Sequence, residues 1–145
     1  MRIATLEDAQ ALSDYWGANL ADIQGDAPEA GILPPGQIAQ FISAGITAFD
    51  ATEGLCAAIR VTEFGRPILR IGLWHGQNAA GFAFALSALV DEAIRVGDET
   101  ITGVVHPGSF ADAWLASKNI SSTTEHNGDI RYTDLTTTVK AKISG

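Results

Sequence analysis

The sequence predicts an α+β domain with a mixed, mostly antiparallel sheet flanked by helices, in the order β-α-α-β-β-β-α-β-α-β-β. Two observations predict it. Segments with apolar residues at steps of three and four, typical of helices, are interspersed with short apolar or alternating segments, typical of strands. One strand–helix–strand passage has the length of a parallel crossover, while short turns join most of the other strands. With 145 residues, 46% of them hydrophobic, the chain is expected to form one domain, 1–145.

The N-terminal part is predicted to contain one strand and two helices. Residues 2–4 form the strand, and a pattern close to a capping box at Thr5 starts a long helix over residues 6–25. Residues 26–31 are expected to form a loop. A second helix, 34–44, starts with two prolines and is followed by a glycine, which suits its two ends.

The middle of the chain is predicted to form a three-stranded meander followed by a crossover. The meander strands are residues 46–50, 55–63 and 68–74, and tight turns separate them. A helix over residues 77–96 follows, and its apolar residues keep to one face. The next strand, 100–105, is therefore expected to lie parallel to the third meander strand.

The C-terminal part is predicted to contain a short helix and a hairpin. The helix covers residues 108–118. The hairpin joins a strand at 121–126 to one that starts at residue 129, through Asn127-Gly128. This dipeptide favours a tight two-residue turn, because both of its residues tolerate positive φ.

The start of the central helix is the candidate ligand site. Its free backbone N–H groups and positive dipole end would attract a phosphate, and its small side chains would let a ligand approach closely. The alternative is that glycine and alanine only permit close packing on the sheet, and the local sequence alone favours that alternative. The candidate cofactor-binding residues are Gln77, Asn78, Ala79, Ala80, Gly81, Phe82 and Ala83.

Two motifs carry a resemblance to the GCN5-related N-acetyltransferases, the GNAT superfamily. Residues 78–83, Asn-Ala-Ala-Gly-Phe-Ala, match the family motif Q/R-x-x-G-x-G/A as N-x-x-G-x-A. A second family pattern, V-x-x-x-N-x-x-A-x-x-x-Y-x-x-x-G-F, falls without a gap on residues 104–120, where Asn119 stands at the glycine position. Residues 2–9 also look like a typical family start, so the resemblance covers essentially the whole chain.

The resemblance implies a GNAT-like fold and acetyl-CoA as the cofactor of an active enzyme. The diphosphate would rest on the backbone N–H groups of residues 78–81. The pantetheine arm would run between the strands at 68–74 and 100–105. Catalysis would then consist mainly of positioning an amine against the thioester.

Several residues depart from the family pattern. Asn78 stands where the family has glutamine or arginine, and Gly108 where it has asparagine. Leu115 replaces the tyrosine that serves many family members as general acid, and a leucine cannot donate a proton. The strand at 68–74 has no Asp or Glu for the family's frequent general base, so His75 or a water is the expected base. Turnover of acetyl-CoA is therefore expected to be slow or absent.

Composition disfavours several other classes of protein. A net charge of −8 without a basic run disfavours nucleic acid as the main ligand, and no apolar run approaches the ~20 residues of a membrane span. His75, His106 and His126 lie in separate segments, so no metal site is expected. Cys56 is expected to be a buried thiol, which favours a reducing compartment. The expected localisation is cytoplasmic, or a virion if the protein comes from a phage.

Two functional hypotheses remain. The first is an acetyl-CoA-dependent N-acetyltransferase of unknown amine. The second is a GNAT-like domain that has lost catalysis and acts in assembly, since the chain is loosely similar to a GNAT-like internal virion protein of T7-like phages. The missing tyrosine, asparagine and strand carboxylate narrowly favour the second hypothesis.

The C-terminal residues are the candidate interaction segment. Apolar and polar residues alternate over 137–144, which predicts a strand with one apolar face. Residues 138–145 would then form an arm that pairs with a protein partner or a second copy of the chain. The alternative is a final strand that runs long, with exposed lysines that protect its edge.

Overall fold

A computed structural model describes residues 2–26 and 34–144, and the sheet within these residues has seven strands. The strands are β1 (Arg2–Ile3), β2 (Gly45–Asp50), β3 (Gly54–Glu63), β4 (Arg66–Gly76), β5 (Thr100–Val105), β6 (Ser122–Thr124) and β7 (Ile130–Leu135). Their order in the sheet is β1-β2-β3-β4-β5-β7-β6. All neighbouring pairs are antiparallel except β4 and β5, which are parallel. The predicted mixed sheet, with its single parallel crossover, is confirmed.

Helices cover both faces of this sheet. They are α1 (Ala9–Ala18), α2 (Leu20–Asp26), α3 (Pro35–Ala44), α4 (Ala79–Val96), α5 (Phe110–Ser117) and α6 (Thr136–Ile143). Consecutive strand residues point to opposite faces. In β4, Trp74 packs on Phe82 of α4, whereas His75 packs on Tyr15 of α1. The central helix α4 and the first helix α1 therefore lie on opposite faces of the sheet.

The predicted long first helix is two helices, preceded by a 3-10 turn at Leu6–Asp8. The break falls at Asn19, whose side-chain amide donates to the carbonyl oxygen of Tyr15 over 2.8 Å. Such local side-chain bonds compete with helix continuation. The predicted loop at 26–31 lies, from residue 27 onward, outside the described residues. The chain resumes at α3, and Gly45, expected to end that helix, also begins β2.

Asp8 lies at the start of the first helical segment, and the pKa of its carboxyl group is strongly lowered. It accepts hydrogen bonds from the guanidinium of Arg2 over 2.7 Å and from the backbone N–H of Thr5 over 2.8 Å. These bonds, led by the one from Arg2, lower the pKa of Asp8 to about 2. A folded-state pKa below the unfolded value means that the carboxylate stabilises the fold above about pH 4. That contribution disappears as the pH falls from about 4 towards 2.

Asp8→Asn is therefore expected to destabilise the protein near neutral pH by about 1 kcal/mol, the usual worth of a helix cap. The loss in melting temperature should shrink towards zero as the pH approaches 2. Thermal unfolding followed by circular dichroism between pH 2 and 7 measures this. Asp14→Asn, at an exposed position of α1, is the matched control and should change little. A melting-temperature difference that stays constant over the whole range would contradict the assignment.

The C-terminal hairpin forms with a longer loop than predicted. The strands β6 and β7 pair, but residues 125–129 connect them, closed by a hydrogen bond from Glu125 N–H to the carbonyl oxygen of Asp129. Only Gly128 has positive φ, at 96°, within the described hairpin. The two-residue turn expected at Asn127-Gly128 is therefore wrong, because that turn needs positive φ at both central residues.

The predicted C-terminal strand is wrong, because these residues form α6. Its apolar side chains also fit helical spacing: Val139 is 3% exposed, and Ile143, four residues on, packs against the same core. Lys140 forms an ion pair with Asp91 of α4 over 2.8 Å. Helix α6 packs on α4. The segment fits both the two-residue period of a strand and the spacing of a helix, and packing against α4 selects the helix. The segment therefore offers no free strand edge for pairing.

Candidate active site

The parallel strands β4 and β5 stop pairing before either of them ends. Their ladder joins residues 69–71 to residues 101–103, whereas β4 continues to Gly76 and β5 to Val105. On the other edge of β4, Ala57 pairs with Leu73 and Ala58 with Ile71, so Gly72 is an extra, bulged residue. Beyond the bulge, the main-chain groups of β4 that face β5 have no ladder partner in the described sheet. The two strands therefore open towards their carboxyl ends.

A cleft of about 530 Å³ lies at this open end. Its described walls come from α2, the end of β4, and the starts of α4 and α5. The polar residues that line it are Asp22, His75, Gln77, Asn78 and Ser109. Two helix starts, with their positive dipole ends, therefore meet at the cleft. Among the described lining residues, Asp22 carries the only formal negative charge and no Lys or Arg is present.

The first turn of α4 presents part of the predicted cofactor segment to this cleft. Gln77, Asn78 and Ala79 line the cleft, and Ala80 is exposed beside them. The Asn78 side chain caps the helix by accepting from the N–H of Gly81 over 2.9 Å. The backbone N–H groups of Ala79 and Ala80 then remain as the helix-start donors for a ligand.

The rest of the predicted segment faces the protein interior. Gly81 is buried, and a Cβ placed on it would lie 2.1 Å from the carbonyl oxygen of Glu53. Phe82 is 2% exposed, and its ring centroid lies 5.2 Å from that of Trp114. Ala83 is half-buried. For Gly81 and Phe82, the structure supports the packing alternative rather than direct contact of their side chains with a ligand.

His75, the predicted catalytic residue, is buried at the floor of the cleft with 4% exposure. Its Nδ1 lies 2.7 Å from the hydroxyl of Tyr15, and its Nε2 lies 3.8 Å from a carboxylate oxygen of Asp22. The Tyr15 hydroxyl also contacts the side-chain nitrogen of Gln77 over 3.2 Å, and Gln77 contacts Asn19 over the same distance. These residues form a hydrogen-bonded cluster between α1, α2 and β4.

Sequence reasoning missed Tyr15, Asn19 and Asp22 as site residues. They are separated by four and three positions, a spacing that would put them on one side of the continuous helix predicted over residues 6–25. That spacing was visible in the sequence. Nothing local indicated that this side faces the end of β4, some 60 residues later in the chain, and only the tertiary fold brings them to His75.

The other singled-out residues have structural explanations. Leu115, at the position of the family tyrosine, is 2% exposed and belongs to the core, so this position does not face the cleft. Gly108 has φ of 78°, and Asn119 takes the left-handed conformation, with φ of 59°, as expected for a residue in place of glycine. His106 contacts Asp129 over 3.2 Å.

The single cysteine, Cys56, is buried, so the predicted buried thiol is confirmed. Burial raises the pKa of the Cys56 thiol above its ordinary value.

Several solved structures with the same architecture are described as acetyltransferases. Ribosomal-protein-S5-alanine acetyltransferase from Vibrio fischeri matches with a TM-score of 0.67 and 14% identity, over 93% of this chain and 91% of that one. RimJ from Mycobacterium smegmatis, in complex with CoA-disulfide, matches with a TM-score of 0.64 and 16% identity, over 98% and 87%. The yncA protein from Salmonella typhimurium, with its cofactor acetyl-CoA, matches with a TM-score of 0.68 and 14% identity, over 93% and 92%.

The chain has the GNAT fold. At 16% identity or less, these likenesses establish the fold alone, and the chemistry of the chain has to be argued from the site. No protein-family model matches the sequence, and no curated protein is significantly similar to it. The described part of the chain contains no His, Cys, Asp and Glu cluster suited to a metal ion. No helix within it is long and apolar enough to cross a membrane.

Proposed function

We propose that this protein is an acetyl-CoA-dependent N-acyltransferase. The observation that carries the proposal is the cleft at the open end of β4 and β5, where two helices begin. Sheets with parallel strands bind ligands at the carboxyl ends of those strands. Structures with this fold contain acetyl-CoA or CoA-disulfide, which supports the same acyl donor here.

The groups at the cleft suit a thioester of coenzyme A. The N–H groups of Ala79 and Ala80, at the positive end of α4, would hold the diphosphate. The unpaired main chain of β4 beyond Ile71 would hydrogen-bond to the extended pantetheine arm. Phosphate binding would then depend on backbone groups, because the described cleft has no basic side chain.

The reaction needs little from ionisable side chains. The amine nitrogen bonds to the thioester carbonyl carbon, the carbon–sulfur bond breaks, and sulfur leaves with the bonding pair. The proton lost by the amine passes to a water. Holding the two reactants in contact supplies most of the acceleration. We assign His75 as the catalytic residue, because it lines the cleft at the end of β4.

One argument for the assembly hypothesis no longer holds. It depended partly on a free C-terminal strand, and that segment is helix α6, packed on α4. The absence of a tyrosine at residue 115 is also weaker evidence for lost catalysis, because Leu115 lies in the core. None of the reported structural neighbours is described as a virion protein. Association with a protein partner, through another surface, stays a prediction.

Calorimetry with acetyl-CoA tests the proposal first. We expect saturable binding of acetyl-CoA to the full chain, and release of free coenzyme A when an acceptor amine is added. A thiol reagent can follow that release, because the only cysteine of the chain, Cys56, is buried. The acceptor panel should include polyamines, lysine peptides and peptides with N-terminal alanine. Absence of binding would overturn the proposal, and binding without turnover would favour the hypothesis of lost catalysis.

A further inference from the structure

The donor and the acceptor of each hydrogen bond around His75 can be assigned in turn, beginning with the bond that Asn19 donates. The Asn19 side-chain nitrogen donates to the carbonyl oxygen of Tyr15 over 2.8 Å, which leaves the Asn19 side-chain oxygen as an acceptor. That oxygen lies 3.2 Å from Nε2 of Gln77, so Gln77 donates to it. The same nitrogen of Gln77 lies 3.2 Å from the Tyr15 hydroxyl oxygen. Since an amide nitrogen only donates, Tyr15 accepts this second bond as well.

The Tyr15 hydroxyl must then give its own hydrogen to another group. Tyr15 as a residue is 7% exposed, and buried polar side-chain atoms are nearly always paired. Burial raises the pKa of Tyr15 above its ordinary value, although the bond from Gln77 opposes the shift, so the phenol keeps its proton near neutral pH. Among the contacts that the described residues offer, His75 Nδ1 at 2.7 Å is the one that can accept.

A histidine whose Nδ1 accepts a hydrogen bond is neutral and carries its hydrogen on Nε2. Nε2 is the ring atom 3.8 Å from Asp22, which also lines the cleft. We infer that His75 serves the reaction as a neutral hydrogen-bond donor rather than as a general base, and that Tyr15 and Gln77 are positioning residues that hold it in this form. This inference rests on the proposed acyl transfer.

The Nε2–H group of His75 would act on the charge that develops during transfer. When the amine nitrogen bonds to the carbonyl carbon, negative charge appears first on the thioester oxygen and then on the departing sulfur. A preorganised donor stabilises such charge without transferring its proton, and a neutral imidazole can fill that role. The amine proton goes to water. A donor from β4 would also make up for Leu115, which cannot donate.

Nitrogen NMR of histidine-labelled protein tests the tautomer without any substrate. At pH 7 we expect the His75 signals, assigned by their loss in His75→Gln, to show hydrogen on Nε2 alone. Tyr15→Phe should turn them into a mixture of tautomers. Tyr132→Phe is the matched control, because the only other tyrosine of the chain donates to Asp112 and should leave His75 unchanged. Hydrogen on Nδ1, or a charged ring, in the wild type would overturn the inference.

Turnover tests the role in the reaction. His75→Ala should lower kcat about 10²-fold, the usual effect of losing one such donor. His75→Gln keeps a neutral N–H donor and should recover about tenfold of that loss, with little change in KM for acetyl-CoA. His106→Ala, at a half-buried histidine that does not line the cleft, is the control and should leave kcat unchanged. Equal rates for the alanine and glutamine variants would overturn the donor role.

The two kinds of measurement separate two possible failures. If the wild type does not acylate any amine, the proposed function fails while the NMR signature still decides the tautomer. If the wild type is active but its ring carries hydrogen on Nδ1, the function stands and the donor inference is wrong. Circular dichroism on each variant, compared with the wild type, checks that it is folded.

Discussion

Ala79→Asp is expected to weaken acetyl-CoA binding by about 10²-fold while leaving the fold at least as stable. Ala79 is the first residue of α4, where a carboxylate interacts favourably with the helix dipole. The same carboxylate would face the bound diphosphate. Two unit charges about 5 Å apart, at an effective dielectric constant of about 20, repel by about 3 kcal/mol. Calorimetry and thermal unfolding on the same samples measure both effects.

Two controls isolate the charge at this helix start. Ala79→Asn has the shape of the aspartate without its charge and should bind acetyl-CoA nearly as the wild type does. Ala141→Asp changes the net charge equally at an exposed position of α6. If Ala79→Asp binds as tightly as these controls, the diphosphate does not rest on the start of α4. Acetyl-CoA would then have to enter the cleft from another side.

Gly81→Ala is expected to destabilise the protein by about 2 kcal/mol. The added Cβ would lie 2.1 Å from the carbonyl oxygen of Glu53 and 3.0 Å from its carbonyl carbon, both main-chain atoms that cannot rotate away. Overpacking of this kind costs up to about 3 kcal/mol. The better helix propensity of alanine offsets about 1 kcal/mol of that cost. Urea unfolding, analysed at constant m-value, gives the difference in free energy of unfolding.

Gly17→Ala is the matched control for this substitution. Gly17 also lies inside a helix, but nothing is within 4 Å of the Cβ that alanine would add. Here the propensity term acts alone, so the variant should be more stable by about 1 kcal/mol. Opposite signs at the two glycines would show that Gly81 is required for close packing. A stabilising effect at both positions would contradict the contact with Glu53.

The sequence by itself determined the central part of the fold. The run at 68–74, the amphipathic pattern at 77–96 and the strand at 100–105 predicted the parallel crossover that β4, α4 and β5 form. These segments are long, and each has one clear periodicity, so local sequence and tertiary packing favour the same structure. The predicted helix starts two residues before α4, whose N-cap is Asn78, and it ends at the same residue, directly before Gly97 in the left-handed conformation.

Only the tertiary structure decided the C-terminal element and the site. Residues 137–144 alternate like a strand and also space Val139 and Ile143 like a helix, and contact with α4 selects the helix. The cluster at His75 joins Tyr15 to a strand end that follows 60 residues later. Local periodicity reports which face of an element is apolar, but it does not report which other element that face meets. The side chains that surround His75, and with them the direction of its hydrogen bonds, therefore followed from the packing of α1 and α2 on β4.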